Sequence, residues 1–137
     1  YSREKSARDF VKNRNAIISK NNNIKFIEMN SLKLLNHKNK YDLIWIDGAH
    51  GYPVVCIDII NSLNLINSGG LIFCDDVYLS REKKISDKMY ASGATYETLR
   101  ELKMQNLITF DLFYKRLNAK NNCLPNERKF IALVKKI

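Results

Sequence analysis

Glycine is scarce in this chain, five residues in 137, and there are only two prolines. The only adjacent glycines are Gly69-Gly70, and no GxGxG stretch occurs, so the tight loop that seats many nucleotide-like cofactors is not among these residues. Cysteine is equally sparse. Cys56, Cys74 and Cys123 are widely spaced and odd in number, with no CxxC pair, which excludes a zinc ribbon or a disulfide framework. Cys56 and Cys74 sit in apolar stretches, where a free thiol behaves as a small core residue, so a reducing, cytoplasmic setting is expected. No apolar run approaches the ~20 residues that a membrane-spanning helix requires. The longest, Leu43–Ile46 and Leu71–Cys74, have the length of buried strands. The opening residues, Tyr1-Ser2-Arg3-Glu4-Lys5, lack an apolar signal region, and nothing in them suggests secretion or membrane attachment.

Acidic residues are the minority charge, 14 against 23 lysines and arginines, for a net charge of +9. Such an excess raises the question of nucleic-acid binding. The basic residues are scattered, however, within a general enrichment in Lys, Asn and Ile (Asn21-Asn22-Asn23, Lys38-Asn39-Lys40) that AT-rich coding sequence produces without selection for a ligand. A solvated basic surface is the expectation. Hydrophobic residues at 45% and charged residues at 27% fit one ordinary globular domain spanning residues 1–137, long enough to bury a core.

Apolar periodicity predicts alternating elements. Ser2 to Lys20 reads as an amphipathic helix carrying Phe10, Val11, Ile17 and Ile18, closed by the asparagines that follow. Ile24–Met29 reads as a short strand, Ser31–Leu35 as a helical turn, and Tyr41–Asp47 as a strand buried on both faces. A helix from Tyr52 to Asn67, with Pro53 in its first turn, is expected to stop at Ser68-Gly69-Gly70. Leu71–Cys74 then forms a second buried strand ending in Asp75-Asp76. Beyond a polar loop (Ser80–Lys88), Ala94–Gln105 reads as a helix. Leu107–Leu117 and Lys129–Lys136 read as strands joined by the helix-free turn Asn118–Glu127, and so pair antiparallel. The class is α/β, with a mostly parallel sheet and a C-terminal antiparallel strand pair.

In open α/β sheets, ligands bind beyond the carboxyl ends of the strands. Polar residues stand at three such ends: Asn30-Ser31, Asp47-Gly48-Ala49-His50 and Asp75-Asp76. A carboxylate after one apolar strand can merely cap a turn. Two strands ending in the same way, one with a doubled aspartate and the other with a histidine three residues on, point to a ligand or a cation.

Tyr41-Asp42-Leu43-Ile44-Trp45-Ile46-Asp47-Gly48-Ala49-His50-Gly51-Tyr52 resembles the fourth-strand signature of a subgroup of class I S-adenosylmethionine-dependent methyltransferases. Leu65-Ile66-Asn67-Ser68-Gly69-Gly70-Leu71-Ile72-Phe73-Cys74-Asp75-Asp76-Val77 is similar to the same family's fifth-strand segment. The two segments stand in the family's order, one helix apart, and the closing helix and strand pair extend the likeness over nearly the whole chain. The resemblance implies a Rossmann-like sheet of order 3-2-1-4-5-7-6, in which a glycine-rich loop after strand 1 and a carboxylate after strand 2 hold the cofactor. Strands 1 and 2 and that loop have no counterpart here, so the chain reads as the C-terminal two-thirds of such a domain, truncated on its N-terminal side. A second copy of the chain could be recruited to such an incomplete sheet.

By the same resemblance, Asn30 and Ser31 fall beside the cofactor's adenine, where relatives carry Asp-Ala or Asp-Ser. Asp47, Gly48, Ala49 and His50 border S-adenosylmethionine, with Asp47 and His50 as the catalytic candidates. His50 occupies the position of a general-base lysine, and an imidazole of ordinary pKa ~6.5 can do that work near neutrality or serve only to orient. Asp47, Asp75 and Asp76 coincide with the acidic set that holds Mg²⁺ in catechol-like and sugar O-methyltransferases, and Mg²⁺ prefers such hard oxygen ligands. Tyr78 and Tyr90 could line an acceptor pocket or simply pack, and His37 is expected in solvent. The function implied is methylation of a small-molecule hydroxyl, on a sugar or a catechol-like diol. The alternative is a non-catalytic methyltransferase-like fragment or interaction module. Nucleic acid is disfavoured as substrate, because Ile46-Asp47-Gly48-Ala49-His50 stands where amino-directed nucleic-acid methyltransferases carry Asn/Asp-Pro-Pro-Tyr/Phe.

Overall fold

The computed structural model describes residues 3–79, 93–115 and 128–137. The chain divides into two compact units, residues 1–30 and 31–137.

The first unit contains α1 (Arg3–Ser19), close to the helix read from the periodicity. Its exit is closed as anticipated: the Asn21 side-chain amide donates to the Ile17 carbonyl at 2.7 Å, satisfying one of the carbonyls a helix end leaves open. The chain then turns back, so that the Arg14 guanidinium lies 3.9 Å from the centre of the Phe26 ring. Residues 24–30, however, form no strand. A strand has no internal hydrogen bonds and exists only when a neighbour completes its ladder. The alternation of Ile24–Met29 marked the residue types, but no strand among the described residues pairs with it.

The second unit is a four-stranded sheet with helices packed on it. A short 3₁₀ helix (Ser31–Asn36) leads to β1 (Tyr41–Ile46), α2 (Val54–Leu65), β2 (Ile66–Val77), α3 (Ala94–Met104), β3 (Ile108–Tyr114) and β4 (Phe130–Lys136). The spatial order is β1-β2-β4-β3. This is the 4-5-7-6 half of the sheet that the resemblance implied. β1 and β2 run parallel, while β4 is antiparallel to both β2 and β3. Only one of the three pairings is therefore parallel, which corrects the expectation of a mostly parallel sheet.

One face of this sheet carries the core. Ile46, Ile72, Cys74, Ala132 and Val134 point to the same side and pack with Val55 and Ile59 of α2 and Leu99 of α3. The Cys74 thiol is buried there, and burial pushes its pKa up to about 12, so it stays protonated and inert. On alternate positions Trp45 stacks on Phe73, its register partner in β2, with 5.5 Å between ring centres.

β2 starts earlier and ends later than the sequence suggested. Ser68-Gly69-Gly70 does not follow the helix as a separate stop but forms an irregularity inside the strand. Tyr41 pairs with Ile66 and Leu43 with Leu71, so extra residues of β2 bulge outward between them. Gly69 adopts φ +76° at this bulge, where a side chain would be strained. Gly70 is needed for a different reason: a Cβ there would lie 2.8 Å from Ile66 Cγ1 and 3.0 Å from the Asp42 carbonyl oxygen of β1. Across the same bulge the Asn67 side-chain amide donates to Asp42 Oδ1 at 2.8 Å.

Gly70→Ala is expected to cost about 1–3 kcal/mol by overpacking this seam. Urea unfolding followed by the fluorescence of Trp45, the single tryptophan and a β1 residue, measures it directly. A variant as stable as the parent would mean that β1 and β2 do not approach this closely.

Candidate functional site

The in-register pairing of Ile46 with Cys74 fixes the geometry of the site. The residues that follow, Asp47 just past β1 and Asp75 among the last residues of β2, lie at the same carboxyl edge of the sheet. Sequence reasoning placed both there, and the structure brings them to neighbouring strand ends in different surroundings.

Asp47 is exposed, with 57% of its side chain accessible. His50, three residues on, is buried, and its Nε2 lies 3.7 Å from Asp47 Oδ1. That separation is too long for a hydrogen bond. Gly48 between them is exposed, and a Cβ on it would meet only Asp58 Oδ2, at 3.5 Å. Ala49 is half-buried. The loop thus offers an open carboxylate and accessible backbone beyond a parallel strand, a setting that suits a polar ligand.

Asn30 belongs to the first unit. The Ser31 carbonyl accepts a 3.0 Å hydrogen bond from the buried Asn61 side chain. Asn61 is seven residues past the start of α2, roughly 10 Å along it at the usual helical rise. Tyr78 is buried and packs, with Lys129 Nζ 5.7 Å from the centre of its ring. His37 Nε2 is 2.8 Å from the Tyr41 hydroxyl rather than simply in solvent. Tyr90 lies outside the described residues.

Asp75 and Asp76 fall within the last turn of β2 rather than after it. The ladder with β4 shifts register between Cys74 and Val77, and Asp76 takes φ +50° to accommodate the irregularity. Both aspartates are buried, and both meet lysines that sequence reasoning did not single out. Lys115 Nζ donates to Asp75 Oδ2 at 2.5 Å and to Asp76 Oδ1 at 2.7 Å. Lys129 Nζ donates to Asp76 Oδ2 at 2.5 Å. The β3–β4 pairing explains their arrival. Lys115 directly follows β3, Lys129 directly precedes β4, and the Lys115 backbone N–H donates to the Lys129 carbonyl at 3.0 Å. The signal was present in the sequence: an antiparallel pair brings the residue after one strand beside the residue before the next. Here that happens at the carboxyl edge of β2.

Electrostatically the cluster is closed on itself. Burial works to raise the Asp76 carboxyl, but hydrogen bonds from Lys115 and Lys129 outweigh it and hold the group below its ordinary value. Burial likewise works to lower Lys115, and hydrogen bonds from Asp75 and Asp76 outweigh it, so its ammonium is held above the ordinary lysine range. Lys115 is a fixed cation here, not a base. Among the described residues no group of three or more histidines, cysteines or carboxylates is arranged to hold a metal ion.

The family profile described as "Methyltransferase domain" matches residues 2–77, more than half of the chain. The chain belongs to this methyltransferase-domain family. The match runs through both contact units and ends at the close of β2, covering both motif segments. No curated protein sequence matches it. Among solved structures, a candidate methyltransferase from Streptococcus mutans in complex with SAH aligns over 95% of this chain and 71% of its own, with 18% identity and a TM-score of 0.58. A candidate rRNA methylase from Clostridium thermocellum aligns over 82% of this chain and 60% of its own, with 12% identity and a TM-score of 0.52. A candidate O-methyltransferase from Klebsiella pneumoniae aligns over 77% of this chain at 18% identity and a TM-score of 0.46, and the chain spans only 44% of its length. At these identities the first two establish a shared methyltransferase-type fold.

The ion pairs set a pH window for this methyltransferase-domain chain. The contribution of Asp76 is complete above the ordinary carboxylate range, ~3.9, and is lost as pH falls through its lowered folded-state value. That of Lys115 is complete below ~10.4 and is lost as pH rises through its raised folded-state value. Urea unfolding across pH should therefore give a plateau between these limits, and Asp76→Asn should flatten its acid limb. An acid limb unchanged by that substitution would refute the coupling.

Proposed function

We propose that the parent protein of this chain transfers a methyl group from S-adenosylmethionine to the hydroxyl of a small molecule, a sugar or catechol-like diol, in the cytoplasm. The observation that carries the proposal is the family match through residue 77 together with the open Asp47–His50 loop at the carboxyl edge of the parallel pair. The SAH bound in the Streptococcus mutans structure is the demethylated form of that donor and supports the choice of cofactor.

In this reading Asp47, Gly48 and Ala49 border the donor, as the resemblance implied, with Ser31 on its adenine side. S-adenosylmethionine supplies an electrophilic methyl carbon, and as the acceptor oxygen bonds to it the carbon–sulfur electron pair returns to sulfur. The acceptor's proton passes to His50 Nε2, which lies 3.7 Å from Asp47 Oδ1. The burial of His50 limits access to it, so the acceptor hydroxyl must enter the loop to be deprotonated.

The second reading, a fragment without catalysis of its own, is favoured by the lack of any GxGxG in these residues. Amide NMR of the chain titrated with SAH to millimolar concentration tests the assignment of the loop. Shifts concentrated at Gly48, Ala49 and His50, with weak affinity, are expected. Shifts elsewhere with none in the loop, or no shift at all, would remove these residues from the cofactor's border.

A further inference from the structure

The Asp75-Asp76 pair sits where related O-methyltransferases were expected to hold Mg²⁺, and its surroundings do not fit that ion. Three of its four carboxylate oxygens, Asp75 Oδ2 and both of Asp76, already accept hydrogen bonds from Lys115 or Lys129. The fourth, Asp75 Oδ1, is buried without a hydrogen-bond partner among the described residues. Two carboxylates and two ammonium groups sum to no net charge, so little remains to attract a dication. Mg²⁺ needs near-octahedral oxygen ligands and retains several waters, and it would have to expel two hydrogen-bonded ammoniums to gain them. Asp47, the third expected ligand, is instead exposed and faces His50.

We propose that Lys115 and Lys129 take the place of the divalent cation: their ammonium groups neutralise and orient Asp75 and Asp76, making this edge of the sheet independent of metal. Both lysines are positioning residues. Lys115 bridges the two aspartates, tying the end of β3 to the end of β2, and Lys129 fixes the second carboxylate from the start of β4. The two ammoniums together carry the charge of one dication, at the cost of a hydrogen-bond geometry that only the β3–β4 pairing can supply. The inference stands apart from cofactor binding, so its test does not depend on the donor assignment.

Mn²⁺ is a suitable probe, because the free ion is counted by electron paramagnetic resonance. The wild-type chain should leave the free-ion signal unchanged at millimolar Mn²⁺. Lys115→Met with Lys129→Met should take up one ion per chain at least tenfold more tightly, and adding Asp76→Asn should abolish that uptake. Because the double variant leaves two buried carboxylates unpaired, circular dichroism must verify its fold, and Lys129→Met alone, at the more exposed lysine, serves as the milder variant. Wild-type uptake of one Mn²⁺ per chain that is lost in Asp75→Asn overturns the proposal, whatever the variants do. A lysine-deleted chain that folds yet binds no Mn²⁺ overturns it as well.

Discussion

β4 is the strand on which the second unit depends. It lies between β2 and β3 in the sheet, antiparallel to both, and its small or branched residues Ala132 and Val134 lie fully buried against the helices. Its seven-residue ladder with β3 runs without a register break from Ile108↔Lys136 to Tyr114↔Phe130. That regularity decides where the residues just outside the ladder fall. Lys115 and Lys129 are brought together at one edge, and the pairing of Val77 with Phe130 brings the end of β2 to the same place. The charged cluster follows from backbone pairing rather than from an attraction that drew four side chains together.

The parallel seam between β1 and β2 supplies the other half of the site, and glycine governs it. Without the left-handed Gly69 and the close approach at Gly70, β2 could not bulge and still return to register with β1 at Leu43. With the bulge, Ile46 and Cys74 stand side by side, and Asp47 and Asp75 follow them at the same edge. The two carboxylates then diverge in use. Asp47 stays in solvent beside a loop suited to a polar ligand, whereas Asp75 is buried and neutralised.

Much of this was legible from residue patterns. The runs Leu43–Ile46 and Leu71–Cys74 announced strands, but β1 is not buried on both faces as expected: Leu43 and Trp45 on its outer face are exposed, because no strand among the described residues covers that edge. Asn21 announced the end of α1. What could not be read depended on partners distant in sequence. Ile24–Met29 alternates as a strand does, yet alternation cannot supply a neighbour. Asp75 and Asp76 looked like open ligands because a sequence does not state which cations will fold against a carboxylate. Lys115 and Lys129 were lost among 23 basic residues, and only strand register distinguishes them from the solvated remainder. The hydrogen bond that the buried Asn61 amide donates to the Ser31 carbonyl is likewise set by folding and could not be read from the sequence.

The central claim is that Asp75 and Asp76 are held by lysines that β4 positions. A double-mutant cycle of Asp76→Asn and Lys115→Met, measured by urea unfolding at neutral pH, tests it most directly. The account predicts a coupling of about 1–3 kcal/mol, as expected for contacting groups within one hydrogen-bonded network. Additive effects, with coupling indistinguishable from zero, would contradict it.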